Sequence, residues 1–307
     1  MTSYTKGIVI ALAATTVWAT TAIFISYLLK NYPLQPLTLA FWRDLMIGLA
    51  LILILRVFQP QALKITRRDL PFFLAYGFIG LAAFNGMWTY SVQLNGASVA
   101  TVLAYSSPAF TVLLARPILN EALTGRKLVA VAVSLAGCAL VAKAYSPEAW
   151  LVNADGNSGA LGIVIGLGTG LAFAFYNLGG RWSAKRFSNS WTVTAYGFTF
   201  AAGGLFLANL VLALTQNSQP FFTLGTQWDG WIILAILAVG PSLAGFGLYT
   251  MSLRHLQAST AGLIASLEPA LTAIMAFFIL NESMGGLQWL GAGLILAAVV
   301  MVQGDKK

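Results

Sequence analysis

Glu268 stands about ten residues into the apolar run 258–280 and directly precedes Pro269. A carboxyl group at that depth in a bilayer is costly unless it is paired, protonated or in contact with water. Two roles are open to it. It can bind a substrate ammonium group or carry a coupling proton, or it can brace a bend at Pro269 and hydrogen-bond a neighbouring helix. Pro269 has no N–H to donate, which frees a carbonyl one turn earlier and bends the helix. Pro108 occupies the corresponding place in the run 97–118, where Ser107 stands in the position of Glu268. The two prolines are expected to act as hinges, and the carboxyl is an asymmetric addition to a repeated pattern.

Arg43 and Asp44 lie about seven residues from one end of the run 36–57. They either pair with each other, or Arg43 receives a substrate carboxylate, whose geometry a guanidinium matches. Trp18, Trp88, Tyr105, Phe173 and Tyr176 also fall inside apolar runs. Rings in membrane helices usually form interfacial belts or face lipid. Trp18 and Phe173, however, lie near the middle of their runs, at matching places in the repeated pattern. A flat apolar ligand group can stack between such rings. Asn85 and Trp88 share a helix face at a spacing of three, as do Thr101 and Tyr105 at four, and Asn177 follows Tyr176. These polar groups either bond between helices or join the rings in a largely apolar pocket with a few donors. The candidate binding set is Trp18, Asn85, Trp88, Tyr105, Phe173, Tyr176, Asn177 and Glu268, with Arg43 as a carboxylate contact.

The lone histidine, His255, follows Arg254 at a helix end, and the lone cysteine, Cys138, sits among Ala, Leu and Gly. One residue of each kind offers no metal constellation and no intrachain disulfide. There is no Walker motif, and Gly166-Leu167-Gly168 has no soluble strand before it. No cofactor is expected, and transport would run on gradients or exchange.

The elements that must hold these residues are membrane helices. Hydrophobic residues make up 58% of the chain and charged residues 8%, against roughly half and a quarter in soluble domains. A spanning helix needs about 20 mostly apolar residues. Ten runs qualify: 7–30, 36–57, 70–92, 97–118, 126–143, 159–182, 191–214, 228–252, 258–280 and 285–303. The remaining loops are too short for a soluble catalytic domain, and continuous runs do not fit a transmembrane barrel. The first run is too long, and lacks the flanks, for a cleavable signal peptide.

The runs form a pattern written twice. Pro108, Ala109, Thr111, Asn120 and Glu121 recur at one constant offset as Pro269, Ala270, Thr272, Asn281 and Glu282. Gly7-Ile8-Val9-Ile10 and Lys30 recur at a second, slightly smaller offset as Gly162-Ile163-Val164-Ile165 and Lys185. The difference falls in a longer loop of the second half, around Ser218 to Trp228. Five runs per half is an odd number, so the second half enters the membrane with the opposite orientation. The expected fold is all-α and polytopic, with ten transmembrane helices as two inverted five-helix repeats. The expected boundaries are 1–145 and 159–303 for the repeats, a periplasmic connecting loop at 146–158 and a cytoplasmic tail at 304–307.

The net charge of +8 reports topology rather than an affinity for nucleic acid. With a cytoplasmic N-terminus, 14 of the 17 Lys and Arg residues fall inside, and only Lys30, Arg43 and Lys143 remain towards the other side. This is the positive-inside bias of a chain with both termini cytoplasmic.

Tyr105-Ser106-Ser107-Pro108 followed by Leu119-Asn120-Glu121-Ala122-Leu123-Thr124 resembles the drug/metabolite transporter superfamily, EamA type. So does Leu267-Glu268-Pro269, followed by Leu280-Asn281-Glu282 and Gly291-Ala292-Gly293-Leu294-Ile295-Leu296. Trp18-Ala19 is similar to that family's Trp-Gly with Ala replacing Gly, and Arg43 matches a common family position. The resemblance spans essentially the whole chain and implies ten helices around a central cavity, exporting amino acids or related metabolites; aromatic amino acid exporters are among its members. The expected function is a secondary transporter of the bacterial inner membrane. It would work by alternating access on a small-molecule substrate, with lipid and, in one version, protons as partners. The alternatives are a carrier of sugar-linked or phosphorylated metabolites, which would favour more basic groups deep in the runs, and a passive channel. An intramembrane enzyme would need a nucleophile with a base or a metal triad, which the sequence does not offer.

Overall fold

The computed structural model describes residues 3–119, 124–146, 159–184, 186–187, 189–216, 227–252, 255, 264–265 and 267–303. Every regular element among them is helical. The first half contains α1 (Ser3–Asn31), α2 (Pro36–Phe58), α3 (Leu70–Ala75), α4 (Ala83–Ala104), α5 (Ser107–Leu119) and α6 (Gly125–Val141). The second contains α7 (Gly159–Ala184), α8 (Ser190–Gln216), α9 (Trp228–Leu237), α10 (Gly245–Ser252), α11 (Glu268–Leu280) and α12 (Gly286–Gln303). A π turn over Tyr76–Ala82 joins α3 to α4, and another over Ala238–Ala244 joins α9 to α10. The two π turns are related by almost the same offset that relates Pro108 to Pro269.

Among the described residues, six stretches are long and apolar enough to cross a membrane: Ser3–Asn31, Pro36–Phe58, Arg67–Ala104, Gly159–Gly180, Ser190–Thr215 and Trp228–Tyr249. Glu268–Leu280 and Gly286–Ala298 are shorter apolar helices. Leu53, Leu207, Val211, Ile274, Phe277 and Phe278 are all exposed, an apolar outer surface suited to lipid tails and foreign to a soluble monomer.

The break expected between the runs 70–92 and 97–118 falls at Gly96. Within Arg67–Ala104, Gly96 adopts φ 76° and ψ 168° and breaks the helix. The chain reverses there. Along α7, Gly168 lies against Met87 and Gly162 against Asn95, while Gly166 lies against Leu103 and Gly170 against Ser106. The segment before Gly96 therefore runs antiparallel to α7 and the segment after it runs parallel. The run 97–118 is divided at Tyr105–Ser106, and the run 258–280 lies partly outside the described residues. Asn120, Glu121, the loop 147–158 and the tail 304–307 also lie outside them.

Equivalent helices of the two halves pack on each other in opposite directions. Thr38 and Leu37, at the start of α2, bond Asn209 near the end of α8 at 3.1 Å each. At the other end, Thr192 and Tyr196 of α8 bond the carbonyls of Ala62 and Leu63, just past α2, at 2.6 and 2.7 Å. α6 and α12 pair likewise: Gly137 faces Gly291, and Gln288 Nε2 donates to Val141 O at 2.9 Å. One core cluster lies between α2, α8 and the first π turn, around Phe41, Phe73, Tyr76 and Phe198. A second gathers Ile25, Leu28, Trp88 and Leu234 from α1, α4 and α9.

Candidate functional site

Two helix breaks meet near the centre of the bundle. At the first, Tyr105 N is shared between Thr101 O at 3.3 Å and Val102 O at 3.1 Å, Ser106 N reaches only three residues back, to Leu103 O at 3.0 Å, and α5 starts afresh at Ser107. At the second, Leu267 N bonds Ile264 O at 3.1 Å and α11 starts at Glu268. The bends expected at Pro108 and Pro269 thus take the form of full breaks, with each proline in the first turn of a new helix. Proline is readily accepted there, because its missing N–H would have no intrahelical partner.

The carbonyl that Pro269 cannot serve belongs to Ala265, and the structure shows what takes it. The Tyr105 hydroxyl donates to Ala265 O at 2.8 Å and lies 2.9 Å from Glu268 Oε2. A phenol has one proton to give. Each contact has a hydrogen bond of its own when Glu268 is itself protonated and donates to the phenol oxygen; with an ionised Glu268 the phenol proton is shared between the two oxygens. The carboxyl that the sequence singles out is therefore engaged by a residue at the matching break of the other half.

The central rings fall into two repeat-related groups. Trp18 of α1 packs edge-on against Phe246 at 5.3 Å and tilted against Tyr249 at 5.0 Å, both on α10. Phe173 of α7 stacks on Phe84 of α4 at 4.7 Å and on Tyr176 at 5.7 Å. Phe84 and Phe246 each stand two positions beyond the π turn of their own half, so equivalent rings meet equivalent partners. The second group continues through Tyr76, stacked on Tyr176 at 5.4 Å, to Phe72 at 5.4 Å. Gly245 makes room for Trp18, since a Cβ there would stand 2.4 Å from the indole. Sequence reasoning missed Phe84, Phe246 and Tyr76 and left Tyr249 out of the binding set. The common register of the two π turns is the signal that picks out the first two.

The remaining candidates divide between a polar cluster and the second ring group. Asn85 is buried and donates to Asp44 Oδ2 at 2.7 Å, and Arg43 Nε lies 3.4 Å from Asp44 Oδ1. Trp88 is buried in the second core cluster and stacks on Phe84 at 6.4 Å. Asn177 is half-buried beside Tyr176. His255 Nδ1 is 3.0 Å from the Ser3 hydroxyl, at the face of the N-terminus. The structure thus brings Tyr105 to Glu268 and Phe173 to Tyr176, while Arg43, Asp44 and Asn85 form a separate polar group on α2 and α4.

The EamA-like transporter family matches residues 5–143 and 160–303. An "Uncharacterized inner membrane transporter" of Salmonella typhimurium is 24% identical over 100% of this chain and 98% of its own length. A protein of Streptantibioticus cattleyicolor named "Probable terminal-alkyne amino-acid exporter" is 27% identical over 81% of this chain and 76% of its own. A solved crystal structure at 18% identity superposes with a TM-score of 0.62, covering 97% of both chains, and shares the fold.

Proposed function

The chain belongs to the EamA-like transporter family, and we propose that it exports amino acids or related small metabolites by alternating access. In this reading ten spans form two inverted five-helix repeats, 1–145 and 159–303, joined by a periplasmic loop at 146–158. Both termini, including the tail 304–307, are cytoplasmic, in a bacterial inner membrane. The antiparallel pairing of α2 with α8 and of α6 with α12 supports the inversion. A pair of interrupted helices in corresponding positions of two repeats marks a transporter's binding region.

The observation that carries the proposal is the contact of Tyr105 with Glu268 across the two breaks. A carboxyl there can receive a substrate ammonium group or hold a proton, and its release from Tyr105 would free both breaks to move. Trp18, Phe173 and Tyr176 offer ring faces and edges suited to an apolar or aromatic side chain. The Streptantibioticus relative, named as an amino-acid exporter, supports the substrate class.

The test is counterflow of labelled phenylalanine into proteoliposomes preloaded with unlabelled amino acids, with wild type and Glu268→Gln side by side. Saturable accumulation driven by the preload, lost in the variant, is the expected result. Absence of exchange with every amino acid by folded protein overturns the substrate class.

A further inference from the structure

Glu282 takes no part in the site above, yet its surroundings are built. α11 ends at Asn281, which adopts a left-handed φ of 54° and ψ of 30°, a conformation asparagine tolerates better than most side-chain-bearing residues. The Glu282 N–H then closes on Ala276 O at 3.1 Å. Its carboxylate Oε2 accepts from Ser98 N at 3.2 Å and from the Ser98 hydroxyl at 3.5 Å. Ser98 opens the helix that resumes after Gly96, and a helix N-terminus favours negative charge. Oε1 lies 3.5 Å from Nζ of Lys30, in the last turn of α1. A Cβ on Gly96 would stand 2.9 Å from Oε2, so glycine there serves both the positive φ and the approach of the carboxylate. A cleft of about 370 Å³ opens beside the contact, with Lys30, Val92, Asn95, Ser98 and Glu282 in its lining.

We infer that Lys30, Ser98 and Glu282 form a latch that holds this membrane face shut and must open for substrate to pass. The inference rests on the alternating-access reading. Lys30 and Ser98 belong to the first half and Glu282 to the second, so the halves cannot separate at this face while the contacts hold. The Lys30 side chain is 55% exposed, and an ion pair of that kind exchanges with water at little cost. The latch is therefore reversible, as gating requires. In sequence the same residue types recur at the repeat offsets as Lys185, Ser259 and Glu121, which lie outside the described residues.

The test uses a reporter cysteine, Val92→Cys, in a Cys138→Ala background in lipid nanodiscs. Val92 lines the cleft and is only 2% exposed. Glu282→Ala is expected to speed its modification by a hydrophilic maleimide about tenfold, by shifting the equilibrium towards the open face. Lys30→Gln, a change at an exposed side chain, should speed it about twofold. Rates equal to the parent in both variants, with parental thermal unfolding, overturn the latch. If Glu282→Ala fails to fold, the Lys30→Gln rate decides alone. Modification needs no substrate, so a faster rate without amino acid exchange upholds the latch and sinks only the substrate reading. Normal exchange with unchanged rates sinks only the latch.

Discussion

The Tyr105 hydroxyl bridges the carbonyl that Pro269 frees and the carboxyl that directly precedes Pro269. It lies 2.8 Å from Ala265 O, the carbonyl that Pro269 leaves without an intrahelical donor, and 2.9 Å from Glu268 Oε2. The residue before the break of the first repeat thereby satisfies the backbone at the break of the second. In a lipid environment, where water is scarce, an unmet carbonyl is expensive, so the bridge sets how the two broken helices sit relative to each other.

Tyr105→Phe should isolate this bridge, because it removes one oxygen and leaves the ring. The expected loss of stability is about 1–2 kcal/mol, the range for leaving a buried carbonyl unsatisfied and for hydrogen bonds between membrane helices. Thermal unfolding in detergent measures it. Counterflow should fall more steeply than stability, since Glu268 loses its partner too. Equal stability in variant and wild type would show that another donor reaches Ala265.

Glu268 should give transport a pH dependence. A proton on Glu268 gives each of the two Tyr105 contacts its own hydrogen bond, and release of that proton leaves one phenol proton for both. Wild-type exchange is expected to vary with pH as Glu268 gains and loses its proton. Glu268→Gln keeps the hydrogen-bonding shape but cannot titrate, so whatever exchange it retains should be flat with pH. Parallel pH profiles in the two proteins would exclude Glu268 as the titrating group.

Much of this arrangement was legible in the residues, and the reason is the repeat. Pro108 and Pro269 occupy matching places in the two halves, which marks both breaks in the sequence itself. Depth in the apolar run singled out Glu268. The partner could not be read in the same way, because the Tyr105 contact depends on how the halves cross. Trp18 and Phe173 were visible as equivalent rings, but their partners Phe84 and Phe246 were not, since they follow the π-turn register rather than the smaller offset of the first helices. The break at Gly96 falls in the gap between the runs 70–92 and 97–118, so the apolar pattern marked its place but not the change of direction there. Glu282 ties the end of α11 to the other half by reaching Ser98 and Lys30.

Gly245→Ala should disturb the Trp18 group without touching Trp18. The added Cβ would meet the indole at 2.4 Å, which forces the ring or the helix to move. Overpacking of this kind costs about 1–3 kcal/mol. If Trp18 contacts substrate, the variant should raise KM for phenylalanine by about tenfold, roughly 1.4 kcal/mol of binding, with a smaller effect on alanine. A uniform loss for both substrates would assign Trp18 to packing alone.

Arg43 and Asp44 pose the remaining choice between a structural pair and a substrate contact. Arg43 is 3% exposed and Asp44 is fully buried, and Asn85 holds the second carboxylate oxygen of Asp44. Removing one partner of a buried ion pair strands the other charge and typically costs about 3–5 kcal/mol. Asp44→Asn is therefore expected to lower the unfolding temperature sharply or abolish the folded protein. Adding Arg43→Gln removes the stranded charge and leaves three amide groups that can bond one another, so the double variant should recover most of the stability. If the pair is structural, the double variant should also recover transport. If Arg43 receives the substrate carboxylate, stability returns and transport does not. Unfolding temperature and phenylalanine counterflow, measured on the single and double variants, separate the two outcomes.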